Sequence, residues 1–184
     1  MPPRCSSFSR YQFAFVLLLL ACGVAHAEVP ALQQASVLGG KVKILLPSDF
    51  KPMNEALLLF KYPRGKPPGL AYTNERATIN VAFEHTGQEA SAKILAQARA
   101  QMSATYRSIF PSAEWFRDEL REINGRPFVL LELRTPAIDT WVRNIIVATI
   151  LDGRVLLVSF NVTRELEGQW LATGNRIIES IVLE

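Results

Sequence analysis

The chain has 184 residues, 49% of them apolar and 20% charged, enough for one well-packed domain and too few for two. Its formal charge of +3 falls to +1 once residues 1–27 are set aside as a leader, because Arg4 and Arg10 leave with that segment and no acid does, so 18 bases face 17 acids. That balance removes the compositional case for nucleic-acid binding. With Cys5 and Cys22 both in the leader, it also excludes a disulfide framework, a thiolate nucleophile and a cysteine metal site in the remainder.

Residues 1–27 read as a secretory signal: Arg4 and Arg10 make a basic start, 13–20 an apolar run, and Ala25-His26-Ala27 a small-x-small cleavage site. The apolar core falls short of the roughly 20 residues that a bilayer span needs. Cleavage between Ala27 and Glu28 would release a periplasmic protein. A second reading competes, because Leu19-Leu20-Ala21-Cys22 resembles a lipobox, and processing there would lipidate Cys22 and anchor the protein in the envelope. Alanine at both −3 and −1 of the Ala27 cut favours the unlipidated form, and membrane contact is expected only if Cys22 is lipidated.

Residues 28–40 lack a period and read as a tether, so a single domain is expected over 41–184. Residues 41–46 read as a first strand, ended by Pro47-Ser48-Asp49 because proline cannot donate to a ladder. An apolar run over 56–62 leads into a loop over 61–69, with three bases, three prolines and two glycines. A short strand at 71–73 and an alternating one at Ile79, Val81 and Phe83 follow. Thr86-Gly87-Gln88-Glu89 has capping-box spacing, which predicts a helix starting there. Its stripe is Ile94, Leu95, Ala98, Met102, Tyr106 and Ile109.

Over 115–123 Arg117, Glu119 and Arg121 share one parity and Phe116 and Leu120 the other, which predicts an edge-side strand whose charged face is wet. Residues 126–163 carry three long apolar runs. Asn124-Gly125 and Asp152-Gly153 are two-residue hairpin signals, since Asn, Asp and Gly tolerate the positive φ that a type I′ turn needs. Residues 141–151 are apolar on both parities, so that strand must be covered on both faces. A last helix starts after Thr163, with Leu166, Trp170, Leu171, Ile177, Ile178 and Ile181 at helical spacing; Gly168 and Gly174 weaken it by up to about 1 kcal/mol each relative to alanine.

Four stretches together resemble the DcrB family of bacterial envelope proteins, within the PsbP-like fold shared with Mog-type import factors. They are 37–47, a first strand ending in leucine-proline; 121–133 around Asn124-Gly125-Arg126; 147–160 around the second glycine turn; and 175–181. The resemblance spans about residues 37–184. It implies an α+β fold, a six- or seven-stranded antiparallel sheet flanked by helices in an α/β/α sandwich. It also implies a role in envelope biogenesis, lipoprotein maturation or phage uptake, and it carries over no catalytic motif, metal or cofactor.

Chemistry-bearing residues are few. Outside the leader His85 is the only histidine, and without a G-x-S-x-G elbow it reads as a surface turn residue, not a triad member. Glu132 lies among apolar neighbours and needs a partner. Arg134 on its own strand face and Arg143 on the next strand make an ion pair with it the simplest reading, or else a polar site. Asp139 reads as a turn residue, the three tryptophans as packing, and the Asn161-Val162-Thr163 sequon as incidental. The loop cations Lys61, Arg64 and Lys66, with Tyr62 as aromatic anchor, are the candidate partner-binding residues, suited to an acidic surface or anionic headgroups. The expected function is a non-enzymatic envelope module that binds a protein or apolar peptide in a groove between helix and sheet. A small periplasmic hydrolase or lyase, or a small-ligand carrier, is the alternative.

Overall fold

The computed structural model describes residues 30–62 and 66–184, so the readings at Cys22, Ala27, Glu28 and Arg64 lie outside the described residues. Strands β1 (Leu32–Val37), β2 (Val42–Pro47) and β10 (Val182–Leu183) form a three-stranded antiparallel sheet in the order β1-β2-β10. A seven-stranded antiparallel sheet contains β3 (Lys51–Pro52), β4 (Leu70–Thr73), β5 (Ile79–Glu89), β6 (Glu114–Ile123), β7 (Arg126–Pro136), β8 (Trp141–Leu151) and β9 (Arg154–Thr163). Its order is β3-β4-β5-β9-β8-β7-β6, flanked by α1 (Glu55–Lys61), α2 (Leu95–Ile109) and α3 (Arg164–Glu179). The α+β architecture is the one the sequence predicts.

Both glycine turns behave as hairpins. Asn124 and Gly125 have φ of 47° and 76°, Asp152 and Gly153 of 50° and 70°, and the flanking pairs are Ile123 with Arg126 and Leu151 with Arg154. Asn124 does a second job. Its Nδ2 donates to the carbonyls of Glu179 and Ile181 at 3.0 and 2.9 Å, tying the β6–β7 turn to the carboxyl end of α3.

The two apolar parities of β8 serve two cores. Ile145, Val147 and Leu151 pack with Trp170, Ile177 and Ile178 of α3 and with Val42, Ile44 and Leu46 of β2. Ile146 and Ala148 pack on the other face with Leu95, Met102 and Tyr106 of α2. Helix α1 joins that second face, because Leu57, Leu58 and Tyr62 pack on Met53, Ala71 and Ala82, and Ala82 is in register with Ser159 and Ile146. Sheet and helices thus form two apolar interfaces on opposite sides of one antiparallel layer.

Three sequence expectations need correction, and one run left unassigned gains its element. The stretch read as a tether contains β1, which pairs along its whole length with β2; its own pattern is weak because only Val37 is buried. The apolar run over 56–62 is mostly helix α1, with Asn54 capping through Oδ1 to the Leu57 N–H at 2.9 Å. The capping box does not start a helix: residues 86–89 belong to β5, which is held to β9 through a register shift, and Thr86 Oγ accepts from the Gln88 N–H instead. Long-range pairing overrides the local cap, and the helical chain begins with a single 3₁₀ turn at Ala92–Ile94. Finally, the register from the Asn124-Gly125 turn puts Arg117 and Arg121 on the side of β6 that meets Asn175 and Glu179 of α3, and a bulge between Trp115 and Arg117 shifts the parity only before Arg117. Arg117, Glu119 and Arg121 are half-buried while Phe116 and Leu120 are exposed, so the charged side is not the wet one. The edge position of β6 is as predicted.

Candidate functional site

The face shared by α1 and α2 is not fully covered. Helix α1 stands over β4 and β5 and α2 over β6 and β7, which leaves the middle strands β9 and β8 between them. Three rows cross β5, β9 and β8 there in register: Asn80, Asn161 and Asn144; Ala82, Ser159 and Ile146; Glu84, Leu157 and Ala148. Above them opens a cleft of about 110 Å³, walled by Tyr62 and Pro68 on one side and Tyr106 on the other. Its floor is Ala82, Ile146, Leu157 and Ser159, and Glu84 is the one charged group among the described residues of its lining.

The polar groups of this face have definite orientations. Tyr62 donates its hydroxyl to Asn80 Oδ1 at 3.2 Å, and Asn161 Nδ2 donates to the same oxygen at 2.7 Å. Asn144 Nδ2 lies 3.2 and 2.9 Å from the carbonyls of Leu133 and Val142, which can only accept, so its Oδ1 must be the atom turned away from them. Burial pushes the Tyr62 phenol up to about 12 and raises that of Tyr106, so both are neutral donors at neutral pH. The Tyr106 hydroxyl makes no hydrogen bond to another described residue. Glu84 accepts the Gly69 N–H at 2.8 Å through Oε2, while Oε1 faces Lys66 Nζ at 3.5 Å; the Lys66 side chain is 84% exposed.

The second polar cluster lies on the opposite face, beneath α3. Glu132 Oε1 accepts from Arg143 Nε and Nη2 at 2.8 and 2.5 Å, and Oε2 accepts from Arg117 Nε. Arg117 also donates to Asn175 of α3. Arg134 does not reach Glu132: it forms a bidentate pair with Glu167 of α3 at 3.0 and 2.9 Å and a further one with Glu114. The hydrogen bond to Glu167 holds its guanidinium above the ordinary value. Three arginines and three glutamates therefore balance, with Phe116 stacked on Arg143. Such closure describes a clamp between sheet and α3, with no charge left over for a ligand.

Of the residues singled out in the sequence, Lys61 donates to the Ala77 carbonyl and Tyr62 is packed against the sheet, so neither stands free on the loop. His85 lies within β5, where its Nε2–H donates to the Leu151 carbonyl at 3.0 Å, and is not a turn residue. Strands β9 and β8 lie between it and Glu132, roughly 14 Å across the sheet at the usual spacing, and the two are further offset along β8 by the four residues from Ile145 to Thr149, so they do not converge. Asp139 is exposed in the β7–β8 loop. Among the described residues no cluster of three or more histidines, cysteines or carboxylates is arranged to hold a metal. Trp170 is buried and stacked on Phe50, and Trp115 lies under Arg107. Sequence reasoning missed Arg117, Asn144 and Asn161, although counting back from the two glycine turns places Arg117 opposite Glu132 and Asn144 opposite Asn161. For Asn80, Ser159 and Tyr106 no local signal exists.

No protein-family model and no curated protein matches the chain. Solved structures do. Cyanobacterial PsbP from Synechocystis sp. PCC 6803 superposes with a TM-score of 0.60 at 14% identity, covering 90% of this chain and 99% of that one. The chain has the PsbP-like fold. LpqN, involved in cell envelope biogenesis of Mycobacterium tuberculosis, matches with a TM-score of 0.52 at 15% identity over 83% and 91% of the two chains. A protein from Bacteroides thetaiotaomicron VPI-5482 matches at 0.53 and 14%, over 82% of this chain and 48% of its own length. At these identities the PsbP-like likeness extends to the backbone arrangement and not to the side chains of the cleft. Among the described residues no helix is long and apolar enough to cross a membrane.

Proposed function

We propose that this chain is a non-enzymatic periplasmic module of the bacterial envelope that holds an apolar peptide segment of a protein partner in the cleft between α1 and α2. The carrying observation is the cleft itself. At about 110 Å³ it falls below the roughly 300 Å³ at which small-molecule pockets begin, and suits one side chain of a chain that continues beyond it. The helix that leads into Tyr62 also carries exposed apolar side chains, with Phe60 74% and Leu59 55% exposed. Lys66, 3.5 Å from Glu84, is the basic group at the edge of the cleft. An enzyme would need two titratable groups at one cavity, and besides Glu84 the described residues of this lining offer two tyrosines held neutral.

The envelope assignment draws on the leader, on the DcrB resemblance, and on LpqN, a protein of envelope biogenesis with this fold. Selection of a random heptapeptide library on the immobilised protein tests the binding role. Peptides with a large apolar residue should be enriched, and Ser159→Trp, which fills the cleft, should abolish their binding. Unselective recovery, or equal binding to the filled variant, would refute it. Intact mass of the envelope form tests the compartment: a chain starting at Glu28 is expected, and a diacylated chain starting at Cys22 would overturn the soluble form.

A further inference from the structure

The lining of the cleft is unequal in hydrogen-bonding sense. Glu84 contributes a carboxylate, and among the described residues no cationic side chain lines the cavity. Two residues further along β9 and β8, on the same face, Asn161 and Asn144 spend their amide N–H groups on Asn80, Ser159, Thr135 and backbone carbonyls. Their Oδ1 atoms accept from no described residue, so a carboxylate and two amide oxygens, set against the free donor of Tyr106, are the free or exchangeable groups along one strip. Acceptors in excess call for a donor-rich ligand. A carboxylate or phosphate ligand would instead meet Glu84 and oxygen dipoles of the same sign.

From this complementarity we infer that the peptide held in the cleft is cationic, with a lysine or arginine beside the aliphatic residue that fills the cavity. It rests on the cleft being the binding site. The aliphatic side chain lies on Ala82, Ile146 and Leu157 between the rings of Tyr62 and Tyr106, and the neighbouring cation pairs with Glu84. Lys66 is the present counter-ion of Glu84, and at 3.5 Å and 84% exposure it is a loose one. It is exchanged for the ligand cation, which sits in the less solvated position and pairs more strongly there. Tyr106, whose hydroxyl has no partner among the described residues, donates to a backbone carbonyl of the peptide. Lys66 therefore competes with the ligand and does not recruit it.

Acetylated, amidated pentapeptides in which leucine flanks lysine, glutamine or glutamate, together with free hexylamine, are titrated against the purified protein by calorimetry. The lysine peptide should bind about fivefold or more tightly than the glutamine peptide, the glutamate peptide more weakly still, and hexylamine weakest. Glu84→Gln should erase the preference for lysine over glutamine, and Lys66→Ala should tighten the lysine peptide, both with unchanged melting temperature. Equal binding of the lysine and glutamine peptides, both lost in Ser159→Trp, would overturn the cation preference while leaving the cleft as the site. Weaker lysine-peptide binding in Lys66→Ala, or hexylamine binding as tightly as the peptide, would overturn the inference as well. Binding that survives Ser159→Trp would instead remove the cleft reading on which it rests.

Discussion

Gly174 of α3 lies directly on the ring of Phe160 in β9, so close that a Cβ there would stand 2.3 Å from a ring carbon. The ring belongs to a fully buried phenylalanine in the core beneath α3 and cannot swing out. By helix propensity alone Gly174→Ala should stabilise by up to about 1 kcal/mol. The contact reverses the sign, and a net loss of about 1–3 kcal/mol from overpacking is expected. At Gly168, where an added methyl meets nothing within 4 Å, the same change should be neutral or stabilising. Urea melts of the two variants check this, and equal gains would mean that α3 does not sit this close to the sheet.

Glu132 is the shared partner of Arg143 and Arg117, with side-chain exposures of 5% for Glu132 and 7% for Arg143. Glu132→Gln should cost about 3–5 kcal/mol, because it removes the carboxylate that Arg143 and Arg117 share and leaves buried Arg143 only Glu167 at 3.3 Å, already the bidentate partner of Arg134. Glu114→Gln, at the exposed end of the same cluster, should cost about 0–1 kcal/mol. Chemical denaturation of both variants at low and moderate salt measures the contrast. A small loss at position 132 would show that water reaches Arg143.

Trp170 anchors α3 by stacking on Phe50, with ring centroids 5.8 Å apart. Replacing it with alanine should cost about 3–5 kcal/mol, as for other large-to-small changes in a packed core. Arg164→Ala, at an exposed position in the first turn of that helix, should be nearly silent. Similar small losses in denaturant melts of both would make α3 peripheral to the core.

Tyr62 gives the fold a pH signature at the alkaline end. Its phenol is raised from the ordinary 10 to about 12 by burial, so the folded state holds the proton more tightly than the unfolded one. The associated stability is complete below about pH 10 and is lost as pH rises through 12. Tyr62→Phe should therefore show a shallower fall in stability between pH 10 and 12 than the parent protein, measured as the difference so that lysine titration cancels. Parallel curves would place the Tyr62 hydroxyl in water.

What the sequence determined by itself is what short-range chemistry decides. The glycine turns at Asn124-Gly125 and Asp152-Gly153 set two hairpins because positive φ is tolerated there, and each turn sets the register of the strands it joins. The two-sided apolar pattern of β8 required cover on both faces, and the stripe from Leu166 to Ile181 supplied one of the covers. Tertiary structure alone decided the rest. Pairing of β5 with β9 overrode the capping box at Thr86, and contacts of Arg117 and Arg121 with Asn175 and Glu179 of α3 drew the charged side of β6 out of water, because long-range contacts leave no mark in local periodicity. Phe160 turned Gly174 from a weakness into a requirement. The cleft belongs wholly to this second kind: Asn80 meets Asn161 from 81 residues away, and the gap above them exists only because α1 and α2 settle on opposite margins of the sheet.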